Sequence, residues 1–461
     1  MNLSEYVQSL EPRIIESIQE SIRIPSVEGT PKPGMPFGEG VGKALEHALK
    51  TAESMGFRTA NLDGMIGYAE YGEGDEMIAV LGHLDVVPEG EGWSHPPYGA
   101  EIHDGILYGR GILDNKGPII GALWGLKAIK DLGLSLRRRV RIIFGTNEES
   151  GMKGAAYYAQ HEEHPIMGFT PDADYPIINV EKGGLGIRAT VPFPKNSRLE
   201  IQELQGGTVL NAVPEEAHIR LTLPKEFLDL DATLATLGTE RAWRLRAEQR
   251  ENLLHVTVKG KSAHASTPEL GENAATRLLS LLGNVTYEDP LFSLFRNLGN
   301  LLEGDTRGER VGIYTQDDIS GDLSCNLGLL SYNDSKITLT FDIRHPVKAD
   351  PEAIVQSMEK ALAPLGFSTE IIKKAPPVHV AKDSELIRTL QRVYERETGQ
   401  KATLLAIGGG TYAKSMRNIV AFGPIFPGDP HVIHQADERS SVSRLMESIR
   451  ITAAAMHELA G

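Results

Sequence analysis

The chain of 461 residues carries 47 Lys and Arg against 62 Asp and Glu, a formal net charge of −15 that disfavours nucleic acid and anionic membranes as partners. Hydrophobic residues at 41% and charged residues at 24% are ordinary for a globular protein, so disorder is not expected, and at about 150 residues per domain the length suggests two or three domains. The single cysteine, Cys325, cannot form an internal disulfide and sits in an apolar stretch as a buried structural thiol; with no signal-like stretch and no run of about eighteen apolar residues, the expectation is a cytoplasmic protein without a membrane span.

Leu10, Ile14, Ile15, Ile18 and Ile22 fall at helical spacing and predict an amphipathic opening helix. Residues 41–55 repeat the pattern, and Gly56 is placed to end that second helix. Residues 77–82 are continuously apolar, as suits a strand covered on both faces, and a helix over 119–132, a strand over 140–144 and a helix over 152–160 follow. The run Arg137-Arg138-Arg139 with Arg141 leads straight into Ile142-Ile143-Phe144, so it reads as the solvated start of that strand and not as a binding patch. Alternating strands and helices imply an α/β fold whose ligand lies beyond the carboxyl ends of the strands.

From about residue 186 the texture becomes alternating: strands are expected at 186–191, 217–223, 254–258 and 337–343, with helices at 227–237 and 274–282. This predicts an inserted α+β domain over 186–380, long enough for two subdomains. Residues 1–185 and 381–461 then make a discontinuous catalytic domain, a mixed and largely parallel sheet covered by helices.

Five short motifs punctuate this layout: Gly82-His83-Leu84-Asp85, Gly109-Arg110-Gly111-Ile112-Leu113-Asp114, Asn147-Glu148-Glu149-Ser150, Pro171-Asp172-Ala173-Asp174 and His431-Val432-Ile433-His434. Imidazole and carboxylate oxygen are ligands that zinc and its neighbours accept, which points to a metallohydrolase. Residues two apart at a strand end share a side, so Asp85 can orient the His83 ring. Adjacent Glu148 and Glu149 diverge, leaving one for metal and one for proton transfer, although a solvated helix start is the plain alternative. Asp114 follows a glycine turn, and its two oxygens could bridge cations about 3.5 to 4 Å apart.

These motifs, with Val86-Val87-Pro88, Trp93, Pro97-Tyr98-Gly99, Asn115-Lys116-Gly117 and Gln435-Ala436-Asp437-Glu438, resemble the co-catalytic metallopeptidase family that includes carboxypeptidase G, aminoacylase and the carnosinase-like dipeptidases. The likeness spans nearly the whole chain and is strongest to the bacterial dipeptidases of that family. It implies that His83 and Asp172 bind one divalent cation, Glu149 and His434 bind a second, and Asp114 bridges. Zinc is the first expectation for both and manganese the second. Asp174 and His431 are the competitors for two of these roles.

The resemblance further implies that Asp85 orients His83, that Glu148 is the general base and acid, and that His264 in Ser262-Ala263-His264-Ala265 stabilises the oxyanion. Asn211, Arg344 and the loop Gly409, Gly410, Thr411 would bind substrate, with the planar guanidinium suited to a terminal carboxylate. Metal-bound water with a pKa near about 7 would then attack the peptide carbonyl while Glu148 takes its proton. The implied activity is hydrolysis of unblocked dipeptides by a monomer, with a small peptide as its only partner. The alternatives are an N-acyl-amino-acid deacylase and a vestigial metal-binding protein without activity. Many relatives carry Asp before the paired glutamates; Asn147 here is expected to tune the site without changing its class.

Overall fold

The computed structural model describes residues 1–227 and 229–461. The chain divides into two compact units, one of residues 1–180, 378–406 and 410–461, the other of residues 181–377 and 407–409.

In the first unit the expected opening helix is two. Leu3–Ser9 is closed at its start by a capping box of Asn2 and Glu5, and Glu11–Ile22 begins afresh because Pro12, lacking an N–H, fits only a first helical turn. Ile14, Ile15, Ile18 and Ile22 are buried, as their spacing predicts. Glu39–Ser54 follows, and Gly56 beyond it takes a left-handed φ of 78°.

Among the described residues the central sheet has nine strands. Its middle is parallel, in the order Arg139–Gly145, Met77–His83, Met167–Thr170, Ile419–Ala421. Ile66–Tyr71 and Arg58–Leu62 extend it antiparallel on one side. Met77–His83 is buried at every position, consistent with helices on both faces.

Two helices, Lys116–Asp131 and Val442–Ala460, cover one of those faces and pack on each other. They approach closely where Gly121 meets Ile449: a β-carbon there would lie 2.5 Å from Ile449 Cγ1. In the Arg run, Arg138 pairs with Glu76 and Glu385, Arg139 with Glu70 and Glu163, and Arg141 with Glu70 and Glu162, while Arg137 Nε donates to the Gly461 carbonyl at 2.6 Å. The run is a strand start bound to acidic neighbours.

Among its described residues the second unit carries an antiparallel eight-stranded sheet that includes Leu253–Lys259, Glu216–Thr222, Ser324–Asn333, Lys336–His345 and Gly183–Pro192. Leu253–Lys259 alternates buried and exposed residues, the mark of a sheet with one covered face. The helices Leu230–Glu240, Ala274–Gly283, Pro290–Leu302 and Pro351–Leu362 belong to this unit. The helix expected from residue 227 starts at Leu230, with Leu228 outside the described residues. Cys325 is buried in its strand, and burial pushes its thiol pKa up. Among the described residues no helix is long and apolar enough to cross a membrane.

Candidate active site

Three neighbouring parallel strands deliver the acidic cluster at their carboxyl ends. His83 is the last residue of Met77–His83, Glu148 and Glu149 follow Arg139–Gly145, and Asp172 follows Met167–Thr170. Asp114 arrives on the loop ahead of Lys116–Asp131, joined to Asn115 by a cis peptide bond. His434 comes from a loop near the C-terminus and holds a left-handed φ of 59°.

The donor atoms converge. His83 Nε2 lies 2.9 Å from Asp114 Oδ1 and 3.4 Å from Asp172 Oδ1. His434 Nε2 lies 2.9 Å from the other Asp114 oxygen, Oδ2, and 3.2 Å from Glu149 Oε1. Asp114 therefore offers one oxygen to each imidazole. His83, Asp114 and Glu149 bring donor atoms within 4.8 Å of one another, as do His83, Glu148 and Asp172. Asp174 and His431 face each other at 3.8 Å with both side chains exposed, apart from these groups.

His83 Nδ1 lies 2.8 Å from the backbone carbonyl of Asp85, which can only accept, so Nδ1 is the donor. In the neutral ring Nε2 is then a lone pair facing carboxylate oxygens, a pairing of acceptors that only a proton or a cation can relieve. The charges agree. Burial opposes a charged His83, but Asp172 and Asp114 outweigh it and lift its pKa well above the ordinary value. Hydrogen bonding to Asp114 and Glu149 lifts His434 to about 10.

Burial, then repulsion from Asp172, raises the Glu148 carboxyl well above its ordinary range, and burial raises Asp172 to about 7 against the pull of His83. Burial also opposes a charged Asp114, yet hydrogen bonds from His434 and His83 hold its pKa far down. Crowded carboxylates, beside imidazoles whose protons they stabilise, form a donor set that divalent cations fit by displacing those protons.

The Asp85 carboxylate lies 3.6 Å from His83 Nδ1. Its oxygens also accept the backbone N–H groups of Glu148 and Glu149, each at 3.1 Å. Asp85 thus fixes His83 through its carbonyl and the glutamate loop through its side chain.

In the second unit, Ala212 bridges to His264, and the Ala265 N–H donates to the Asn211 carbonyl at 2.9 Å, which sets Asn211 beside His264. His264 Nδ1 lies 2.7 Å from Ser266 Oγ. Arg344 donates through Nη1 to the Gly408 carbonyl at 3.0 Å. Its Nε and Nη2 edge is taken by Asp342, at 2.6 and 2.9 Å, so the fork anticipated for a substrate carboxylate faces a side chain of the protein itself. In the first unit Gly410 and Thr411 precede Tyr412–Ser415, a four-residue 3-10 turn that Thr411 caps by accepting the Ala413 N–H. The glycine loop therefore leads into a tight turn and not into a long helix.

Three residues that organise the cluster carry no metal-ligand signature in the sequence. The Glu438 carboxylate is fully buried and accepts from Arg110 Nη1 at 2.8 Å and from the backbone N–H groups of Gly111, Leu113 and Asp114 at 3.1, 2.9 and 3.2 Å. It binds the Asp114 loop to the segment that carries His434, and Arg110 is its buried counter-ion. Asn115 accepts from the His83 N–H at 3.3 Å and donates to the Pro171 carbonyl at 2.5 Å, tying together the approaches of His83, Asp114 and Asp172. Their signal was adjacency to a motif, which says that a residue is near the site but not what it holds.

The sequence model of peptidase family M20/M25/M40 matches residues 79–458. A dipeptidase by name, YtjP of Bacillus subtilis (strain 168), is 41% identical over 466 residues, covering 100% of each chain. The β-Ala-Xaa dipeptidase of Lactobacillus delbrueckii subsp. lactis is 31% identical over 475 residues, covering 100% of this chain and 98% of its own. Among solved structures, human carnosine dipeptidase 1 shares the fold at a TM-score of 0.58 and 15% identity, with 99% of each chain covered.

Proposed function

The chain belongs to peptidase family M20/M25/M40, and on that premise we propose how this metal-dependent hydrolase of dipeptides divides its chemistry among its residues. Its first unit is the catalytic domain and its second the lid. His83 and Asp172 would hold one divalent cation, zinc or manganese, and Glu149 and His434 a second, with Asp114 able to offer an oxygen to each. The observation that carries this reading is the division of Asp114, one oxygen toward each imidazole.

When bound, the cations supply Lewis acidity that polarises a carbonyl and acidifies water. The residues do the rest. Glu148 accepts a proton from the attacking water at a carboxylate oxygen. As the new C–O bond forms and the C–N bond breaks, the same proton passes to the leaving amine. Asp85 keeps Glu148 in place through its backbone N–H, and no covalent bond to the protein is required.

His264 donates a hydrogen bond to the carbonyl oxygen as charge develops there, a contact whose loss costs about 10² to 10³ in rate. Asn211, Arg344, Gly409, Gly410 and Thr411 take the ends of the substrate, an unblocked dipeptide. Support for the lid residues is their common neighbourhood: Asn211 lies beside His264, and Arg344 reaches Gly408 next to Gly409. The working form is a monomer in the cytoplasm.

The test is a panel of Xaa-Xaa and β-Ala-Xaa dipeptides and N-acetyl amino acids, given to chelator-treated protein before and after zinc or manganese is restored. Cation-dependent cleavage of unblocked dipeptides is expected. Activity confined to the acetylated compounds would replace this reading with a deacylase, and none at all would remove it.

A further inference from the structure

Asn147 is 1% exposed and immediately precedes Glu148. Its side chain works in two directions. Oδ1 accepts the Lys153 N–H at 3.1 Å, which fixes the oxygen end and turns Nδ2 the other way. Nδ2 donates to Glu28 Oε2 at 3.3 Å and to Ser150 Oγ, and the Ser150 hydroxyl in turn donates to the same Glu28 oxygen. The Asn147 carbonyl accepts the Met152 N–H at 2.6 Å, so a closed loop runs from residue 147 to 153 with Glu148 and Glu149 inside it. Asp85 holds those two glutamates from the other side by their backbone N–H groups.

We propose that Glu28, Asn147 and Ser150 are positioning residues that clamp the Glu148 loop, and that the negative charge of Glu28 is what requires a neutral amide at 147. The proposal rests on Glu148 as the proton-transfer group. Ser150 has one proton to give, and it goes to Glu28. An aspartate at 147 keeps the acceptor for Lys153 but turns a second carboxylate oxygen toward Glu28, where the amide now donates. One of the two carboxylates then lacks a donor while both repel. The loop relieves this by moving, and Glu148 moves with it.

The experiment is a double-mutant cycle on the full metal-loaded chain: N147D, E28Q and N147D/E28Q, each measured for kcat and KM on a dipeptide, zinc affinity by chelator competition, and melting temperature. N147D is expected to lower kcat roughly ten- to a hundredfold, the scale of a misplaced catalytic group, with KM within about twofold. The double variant is expected to return kcat to within about threefold of E28Q, with zinc affinity steady throughout. A double variant as slow as N147D alone, or an N147D variant at the wild-type kcat, overturns the clamp. If the wild-type chain cleaves no dipeptide, the functional reading falls, and the clamp is judged on melting temperature alone. N147D must then lower it more in the wild-type background than in the E28Q background, and equal drops overturn it.

Discussion

The two imidazoles that flank Asp114 are chemically the same and structurally opposed. His83 closes a fully buried strand, is itself 0% exposed, and is locked through Nδ1 to a backbone carbonyl. His434 sits on a loop, its side chain 50% exposed, on a backbone whose left-handed φ costs a non-glycine residue energy. One half of the site is built into the sheet; the other is held up by its neighbours. The lesson is that the sheet half owes its geometry to folding of the core, whereas the loop half depends on a few hydrogen bonds, above all those of Glu438.

The largest expected effect tests what both halves serve. Glu148→Ala should lower kcat by roughly 10² to 10⁴ while two cations remain bound, read by steady-state kinetics alongside metal analysis. Loss of metal together with activity would instead make Glu148 a ligand of the His83 side. Asp114→Asn comes next: with a charge removed between the halves, cation uptake in a titration should weaken at both, and weakening at one alone would break the picture of a shared carboxylate.

Glu438→Gln sharpens the contrast directly. It should lower affinity for one cation by about 10- to 100-fold, as loss of a partner behind a metal ligand typically does, and spare the other. Equal losses at both would show that the loop half is no weaker than the sheet half. The smallest effect lies beneath the sheet half. The Tyr412 hydroxyl is buried without a hydrogen-bond partner among the described residues, so Tyr412→Phe leaves no protein group unpaired. Thermal unfolding should find its stability within about 1 kcal/mol of wild type.

The same division governs how much could be read from sequence. The apolar run ending at His83, the helical periods and the switch to alternation all follow from local spacing, and the structure has strands and helices there. The clustering of His83 with Glu148 and Glu149 followed from one rule about strand ends, whereas Asp172, beyond the unforeseen strand Met167–Thr170, came only with the family resemblance. What local spacing could not reveal were contacts made by distant residues. Glu438 reaches Leu113 across 325 positions, and Glu28 reaches Asn147 across 119. The amide at 147 stood out as a departure, but its reason lies in a segment with no motif. Spacing also could not show that Asp85 holds the glutamate loop, or that Asp342, two residues from Arg344, pairs with its guanidinium.

The buried carboxylate of Glu438 also has a meaning in time. Three backbone N–H groups of the Asp114 loop find their acceptor in a residue near the C-terminus. During synthesis the chain emerges with His83, Asp114 and Glu149 long before Glu438 and His434. Until Glu438 has been made, those N–H groups have only water for a partner. The order of residues along the chain therefore puts the anchor of the Asp114 loop more than three hundred positions after the loop itself.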